Sequence, residues 1–372
     1  MGTIAAVALA IGGSGGIGHA TSTTPAVTQD SPGSFSQKTV HDFPLRSIGK
    51  LQVSNRHGAV SVKGWSQDKI RVTVVKLTQA TDEAEASTQF QQLGLLQRGR
   101  GEHFELIAQY GRAMGIEQRL ANTKAPKVRL DLEIQAPAKL LLQAWTTGDR
   151  IAVKNWHAPV DVRTETGLIQ IEEVRAKEVK ATCVACGMKI RAISGSVRCL
   201  GGSGDIDLRD LASDQIYVET SSGAILPNRT NGNQLYVTQG GAILGKSLNG
   251  RVEFQTKSGR VDLSQSAGFA SGRTTSGDVR VEMAKWKFLD RAVFESELGQ
   301  ISLKLPSDFS ATVDLRTERG KMRLEFPLRV LRDDEESLKN SATRLKGAIG
   351  ENDHHNLTVY SRMGNVRVLR GS

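Results

Sequence analysis

Three cysteines among 372 residues cannot supply a disulfide framework, which excludes a stapled miniprotein. No apolar run approaches the ~20 residues that a membrane-crossing helix needs, so no transmembrane span is expected. An arginine-rich tract is also missing. Lys+Arg outnumber Asp+Glu by 49 to 39, a net charge of +10, but the two signs alternate along the chain. That pattern describes a solvated surface with a positive bias, not the clustered footprint of a nucleic-acid site, and no specific nucleic-acid partner is expected. Proline is scarce, at 9 residues, against 38 glycines. Glycine at about one residue in ten exceeds the usual ~7% and falls far below collagen's one in three, so the question becomes how the glycines are spaced.

The first twenty residues, MGTIAAVALAIGGSGGIGHA, carry no charged side chain. A short apolar core from Ile4 to Ile11, then small residues at Gly18 and Ala20, has the form of a secretory signal over residues 1–20 that lacks its basic n-region. The following TSTTPAVTQDSPGSFSQ is rich in Ser, Thr and Pro and predicts a disordered linker over residues 21–43. No cysteine follows Ala20 to take a lipid. These features predict an exported protein of the periplasm or cell surface. The same segment contains Gly13-x-Gly15-x-x-Gly18, the spacing of a dinucleotide loop. Such a loop must open a helix, whereas these glycines run into Thr, Pro and Ser, and no Tyr-x-x-x-Lys pair follows Tyr110, Tyr217, Tyr236 or Tyr360.

Glycines at 167, 204, 223, 259, 277, 299 and 320 stand between short alternating runs, and with the intermediate positions at 149, 186 and 240 the spacing is about 17 to 22 residues. Asp149 and Cys186 take the register position beside Gly148 and Gly187, Gly240 fills the remaining gap, and isolated copies surround Gly58 and Gly364. Apolar pairs precede the glycine by seven and five residues, as in Leu51/Val53, Ile216/Val218 and Val252/Phe254. Others follow by two and four, as in Ile169/Ile171 and Val261/Leu263. A Thr or Ser stands three residues before it, as at Thr164, Thr220, Thr256, Thr274, Ser296, Thr317 and Ser361. Period-two alternation marks half-buried strands, and a glycine at a fixed offset marks a turn that other residues resist.

A single strand-turn-strand unit cannot bury its own apolar face, but stacked units can. The chain therefore reads as all-β, a parallel β-solenoid or β-helix-like stack of units of about 18–20 residues over residues 44–372. Nine steps from Asp149 to Gly320 at ~4.8 Å give a rod of roughly 40 Å, with inward hydroxyl ladders beside the turns. Two stretches break the rhythm. Residues 81–97 predict a short helical insertion, with Thr81 or Asp82 as cap, Glu83 and Glu85 in the first turn, and Ala86, Phe90 and Leu93 on one face. Residues 331–356 are charged and predict a solvated loop or short helix.

Motifs that could carry chemistry are weak in this setting. Gly240 to Ser247 fits the P-loop expression, but a strand-turn-strand unit follows where a phosphate-cradling helix is needed. Cys183-x-x-Cys186 and Cys199 lack a fourth ligand, with no histidine between His157 and His354, so no metal is expected. In register, Cys183 and Cys199 are small core residues and Cys186 sits at a turn. They read as thiols, with a Cys183–Cys186 disulfide left open. Asp205 and Asp207 flank Ile206 and point outward about 7 Å apart, a spacing that would suit an inverting glycosidase. The next rung offers only Ala224 and Leu226 in those positions. Asp262 and Asp278, near Arg260 and Arg280, read as solvated charge ladders, and His354–His355 as a surface pair. No catalytic, cofactor-binding or metal-ligating residue is assigned.

LQVSNRHGAVSV, the serial T-x-x-G turns, KLPSDFSATVDLRTERGKMRL and GAIGENDHHNLTVYSRMGNVRVLRG resemble the bacterial putative-adhesin domains, a β-strand-repeat family, over about residues 45–371. The resemblance implies an envelope or cell-surface protein with a stacked β core, and it supplies no catalytic residues. Related rack-like domains accompany envelope-stress signalling systems. The expected function is non-enzymatic: an exported protein that binds or structurally contacts a glycan or protein of the envelope. Recognition would use the outward side chains of one face, or β-augmentation at an uncapped end. The alternatives are a carbohydrate-active β-helix enzyme using Asp205 and Asp207, and an envelope-stress accessory domain.

Overall fold

Alternate residues of each strand point inward, and parallel pairing stacks like on like. Ile151, Ile169, Met188, Ile206, Ile225, Ile243, Val261, Val279, Ile301 and Val366 form one buried column in direct register. The computed structural model describes residues 25–45, 48–100, 102–111, 128–287, 291–331, 341–351 and 355–371. The expected secretory signal at residues 1–20 and the Gly13–Gly18 spacing lie outside these described residues.

Each coil whose turn is described has one strand leading into that turn, commonly Thr-x-x-Gly, and one leaving it, so the solenoid has two broad faces. Named by the residue at the turn, or by the strand residue Leu130 that stacks on Gly58, the rungs run Leu130, Gly58, Asp149, Gly167, Cys186, Gly204, Gly223, Gly241, Gly259, Gly277, Gly299, Gly364, Gly320. Twelve steps at ~4.8 Å give a rod of about 58 Å. The β-solenoid expected from the sequence is what the chain forms.

The order of the coils, however, is not the order of the chain at either end. The final coil, Asn356–Ser361 and Val366–Arg370, sits between the Ala292–Ser296/Ile301–Leu305 coil and the Ala311–Thr317/Met322–Leu324 coil. Lys50–Asn55 and Val60–Trp65 likewise lie between the last parallel-paired strands, His103–Tyr110 and Val128–Pro137, and the Leu141–Thr146/Ile151–Trp156 coil. Repeated units look alike in sequence, so periodicity identifies the rungs without saying which are neighbours.

Close approach, more than turn conformation, explains the turn glycines. At 167, 204, 223, 241, 259, 277, 299, 364 and 320 a Cβ would overlap the carbonyl oxygen of the rung stacked beside it. Among these, only Gly204 has a left-handed backbone, with φ 94°. The column passes through Gly241, correcting the expectation for Gly240, which has only ordinary contacts. The hydroxyl three residues earlier caps the same turn. Gly259 N donates to Thr256 Oγ1 at 3.0 Å, Gly277 N to Thr274 Oγ1 at 3.0 Å and Gly299 N to Ser296 Oγ at 2.8 Å. Ser361 Oγ also donates to Gly299 O on the next rung at 2.8 Å, so a hydroxyl can stitch two coils.

The opposite edge of the solenoid turns differently. Asn155, Glu173, Ala192, Asp210, Arg229, Ser247 and Gln265 all adopt left-handed φ between 51° and 57°. Three residues beyond four of them, Gly195, Gly232, Gly250 and Gly268 again meet a neighbouring carbonyl. Between these corners Val174, Ile193, Leu211 and Thr230 stack inward, so the edge is a narrow bevel.

Both ends are finished by antiparallel strands. At one, Lys69–Gln79 pairs with Val128–Pro137, Ser34–Pro44 pairs with Lys69–Gln79, and Val27–Ser31 pairs with Ser34–Pro44. Residues 27–44 are therefore sheet, not the disordered linker predicted from composition. Phe35 and Phe43 are buried, and the Phe43 and Phe104 rings lie 5.2 Å apart, which anchors a stretch that otherwise looks too polar to fold. The predicted helix is shorter, Glu83–Gln91, with Asp82 Oδ1 accepting from Glu85 N at 2.8 Å, and Leu93–Arg100 is a strand. At the other end Arg344–Ile349, inside the expected loop, pairs antiparallel with Ala311–Thr317. The expected open end for β-augmentation is thus covered on one face there, leaving the three-residue strand Met322–Leu324 at the edge of the other. No helix among the described residues is long and apolar enough to cross a membrane.

Candidate functional site

The residue four before each turn position faces outward on the strand that enters the turn. Parallel register lines these residues up as Trp145, Arg163, Thr182, Leu200, Glu219, Val237, Gln255, Arg273, Glu295 and Tyr360. Eight of them, Thr182 to Tyr360, form the floor of an open groove of about 920 Å³ along the axis. The turn residues Ser221, Gln239, Lys257, Thr275 and Glu297 form its rim. Seven rung steps at ~4.8 Å make it about 34 Å long. A second hollow of about 410 Å³, lined by Gln52, Ser54, Gln143, Trp145, Asp161 and Arg163, continues the same face toward the N-terminal coils.

Polar groups hold the face in a defined arrangement. Arg273 Nε lies 2.9 Å from Glu295 Oε2, and Arg163 lies 3.0 Å from Asp161. Tyr217 donates to Glu219 Oε2 at 2.6 Å while the Arg198 guanidinium sits 4.7 Å from its ring centroid. That bond to a carboxylate pushes the Tyr217 phenol above its ordinary value. Tyr360 donates to Glu318 Oε1 at 2.7 Å, with the same upward effect. The groove carries three carboxylates, Glu219, Glu295 and Glu297, against two cations, Lys257 and Arg273.

The carboxylates singled out for glycan cleavage are occupied by structural work on the other face. Asp205 Oδ1 accepts from Ala224 N at 2.9 Å, tying two turns together. Asp207 takes Arg209 Nε at 2.9 Å and lies 3.6 Å from Arg191. Asp278 repeats the Asp205 role, accepting from Gln300 N at 2.8 Å. The P-loop match is a strand, Ile243–Lys246, and Ser247 stands in the left-handed corner column. Cys183 and Cys186 are joined in a disulfide across a turn, with Cα atoms 5.9 Å apart, which corrects the thiol reading. Cys199 is a buried free thiol in the core column beside Ala181 and Val218, as its register predicts. No cluster of three or more metal-ligating side chains occurs among the described residues. His354 lies outside them, and His355 O accepts from Thr312 N at 2.8 Å.

The sequence reading expected recognition by the outward side chains of one face but did not locate that face, because its register followed the inward positions. The signal was available one residue away, in the outward position four before each turn.

The coils beyond Val197 repeat every 18 to 22 residues as far as Gly299 and stack their turn glycines in one axial column. Residues 196–369 match the Toastrack DUF4097 family model. The match agrees with the resemblance to putative-adhesin domains seen in the sequence. Solved structures similar to this chain include a putative cell adhesion protein from Clostridium sporogenes, 8% identical, with a TM-score of 0.22 over 90% of this chain and 100% of that one. Another is a putative lipid binding protein from Parabacteroides distasonis, 10% identical, with a TM-score of 0.33 over 89% of this chain and 96% of that one. A third is a putative adhesin from Bacteroides fragilis, 9% identical, with a TM-score of 0.29 over 89% and 97%. No curated protein sequence matches the chain significantly.

Proposed function

We propose that this is a non-catalytic binding protein, exported to the bacterial envelope, that holds an extended partner along its grooved face. The observation that carries the reading is the axial groove of about 920 Å³, whose outward side chains recur once per rung. A quasi-one-dimensional repeat offers an extended surface of this kind to a long partner. The non-catalytic part is supported by Asp205 and Asp207, whose oxygens are engaged by a backbone amide and by arginines. Export is supported by the apolar stretch and small residues of positions 1–20.

Cell fractionation with N-terminal sequencing, combined with co-sedimentation on isolated bacterial envelopes, tests the reading. A processed N-terminus outside the cytoplasm and retention on envelopes are expected. A cytoplasmic protein with Met1 intact, or one that ignores envelopes, would contradict it.

A further inference from the structure

The two faces of the solenoid differ in chemistry, and the difference selects a class of ligand. On the face that leaves the turn, one outward column reads Lys63, Lys154, Glu172, Arg191, Arg209 in register. Its continuation through Asn228, Lys246, Ser264, Glu282, Lys304 and Leu369 is mainly charged or polar and holds no Trp or Tyr. The grooved face instead carries three outward aromatics: Tyr360 lines the groove itself, Trp145, 37% exposed, lines the second hollow, and Tyr217 stands beside the groove with Arg198 over its ring. Hydroxyls and amides, including Thr182, Gln255 and Thr275, stand between them.

We infer that the groove binds a neutral glycan chain lying along the solenoid axis, an assignment that rests on the binding reading above. Sugar rings present apolar C–H faces that stack on aromatic side chains and hydroxyls that pair with amides, carboxylates and guanidinium groups. Both kinds of partner are on this face. The charges in the groove nearly cancel, and Arg273 is paired with Glu295, so an acidic chain would find no unopposed basic track. The ~4.8 Å repeat of equivalent positions suits a polymer of repeating units better than a compact molecule.

A protein ligand fits less well. Every strand in the groove floor is paired on both sides, so an extended peptide has no free edge to join there. The exposed apolar residues nearby, Val184, Leu298 and Met363, are at turn tips and do not make the continuous apolar centre of a protein interface.

Calorimetric titration of the full chain with cellohexaose, chitohexaose and maltohexaose, against hexagalacturonate, tests the inference. At least one neutral chain is expected to bind. Tyr360→Ala and Gln255→Ala, both outward-facing, should each weaken it at least about fivefold. Hexagalacturonate should bind at least about tenfold more weakly, the difference of roughly 1.4 kcal/mol that a specific site supplies. Failure of all three neutral chains, tighter binding of the acidic chain, or indifference to both substitutions overturns the glycan assignment. Envelopes treated with protease separate this failure from failure of the wider reading. Retention lost on protease treatment but still sensitive to Tyr360→Ala would leave a groove that binds protein. Envelope retention that ignores the groove substitutions would overturn both.

Discussion

The carbonyl oxygen of Gly241 occupies the space that a Cβ on Gly259 would take. The same relationship recurs rung after rung from Gly204 to Gly320, so these turn glycines are a packing column along that part of the rod. Gly259→Ala should force the Gly241 carbonyl out of position and cost about 1–3 kcal/mol. Gly240→Ala, one residue off the column with its nearest neighbours at 3.8 and 3.9 Å, should be close to neutral. Urea denaturation of the two variants checks this, and equal losses would contradict the column.

Ala192 holds a left-handed φ of 53° in the opposite corner. An L-residue there costs about 1–2 kcal/mol, against roughly 0.5–1 kcal/mol for the extra entropy glycine loses on folding. Ala192→Gly should therefore raise stability by up to about 1 kcal/mol, read as a higher urea midpoint with unchanged slope. A lower midpoint would contradict the assigned backbone.

These two corners show what periodicity can and cannot reveal. Thr256 and Gly259 announce a turn in sequence because their side-chain chemistry is the turn's chemistry. Glu173, Ala192, Asp210 and Arg229 share a backbone conformation but no residue type, so only the glycines at 195, 232, 250 and 268 marked the bevel in sequence. The insertion of the Leu357–Val368 coil beside Gly299 was equally hidden, because identical units can stack in more than one order. Phe35 and Phe43 were overlooked within a polar stretch whose composition suggested disorder. The groove went unseen for a different reason: Gln255 and Arg273 vary freely at an outward position, and only their shared offset from the turn marks them.

Burial pushes the Cys199 thiol up to about 12, and Cys183 and Cys186 are joined. The native protein should therefore take up no iodoacetamide at neutral pH. Unfolding without reductant should expose one reactive thiol, and unfolding with reductant three. Mass spectrometry reads the adducts directly, and three adducts without reductant would show the pair to be reduced.

Hydrogen bonds from Arg71 and Lys69, the Arg71 bond foremost, hold the Asp42 carboxyl well below the usual carboxylate range. A lowered folded-state value means the stabilisation is complete above the unfolded value of ~3.9 and is lost as pH falls below it. Because Asp42 remains 30% exposed, Asp42→Asn should cost only up to about 1 kcal/mol at pH 7. The gap from wild type should close as pH drops below about 4. A gap that persists unchanged in acid would contradict an ion-pair origin.

Val237 and Leu226 offer the most direct test of the grooved face as the binding surface. Both are half-buried apolar side chains facing outward in the middle of the rod, Val237 in the groove and Leu226 on the opposite face. Retention on isolated bacterial envelopes should fall at least about fivefold for Val237→Lys and stay at the wild-type level for Leu226→Lys, with both variants folded by circular dichroism. Equal retention of the two, or loss confined to Leu226→Lys, would contradict the account.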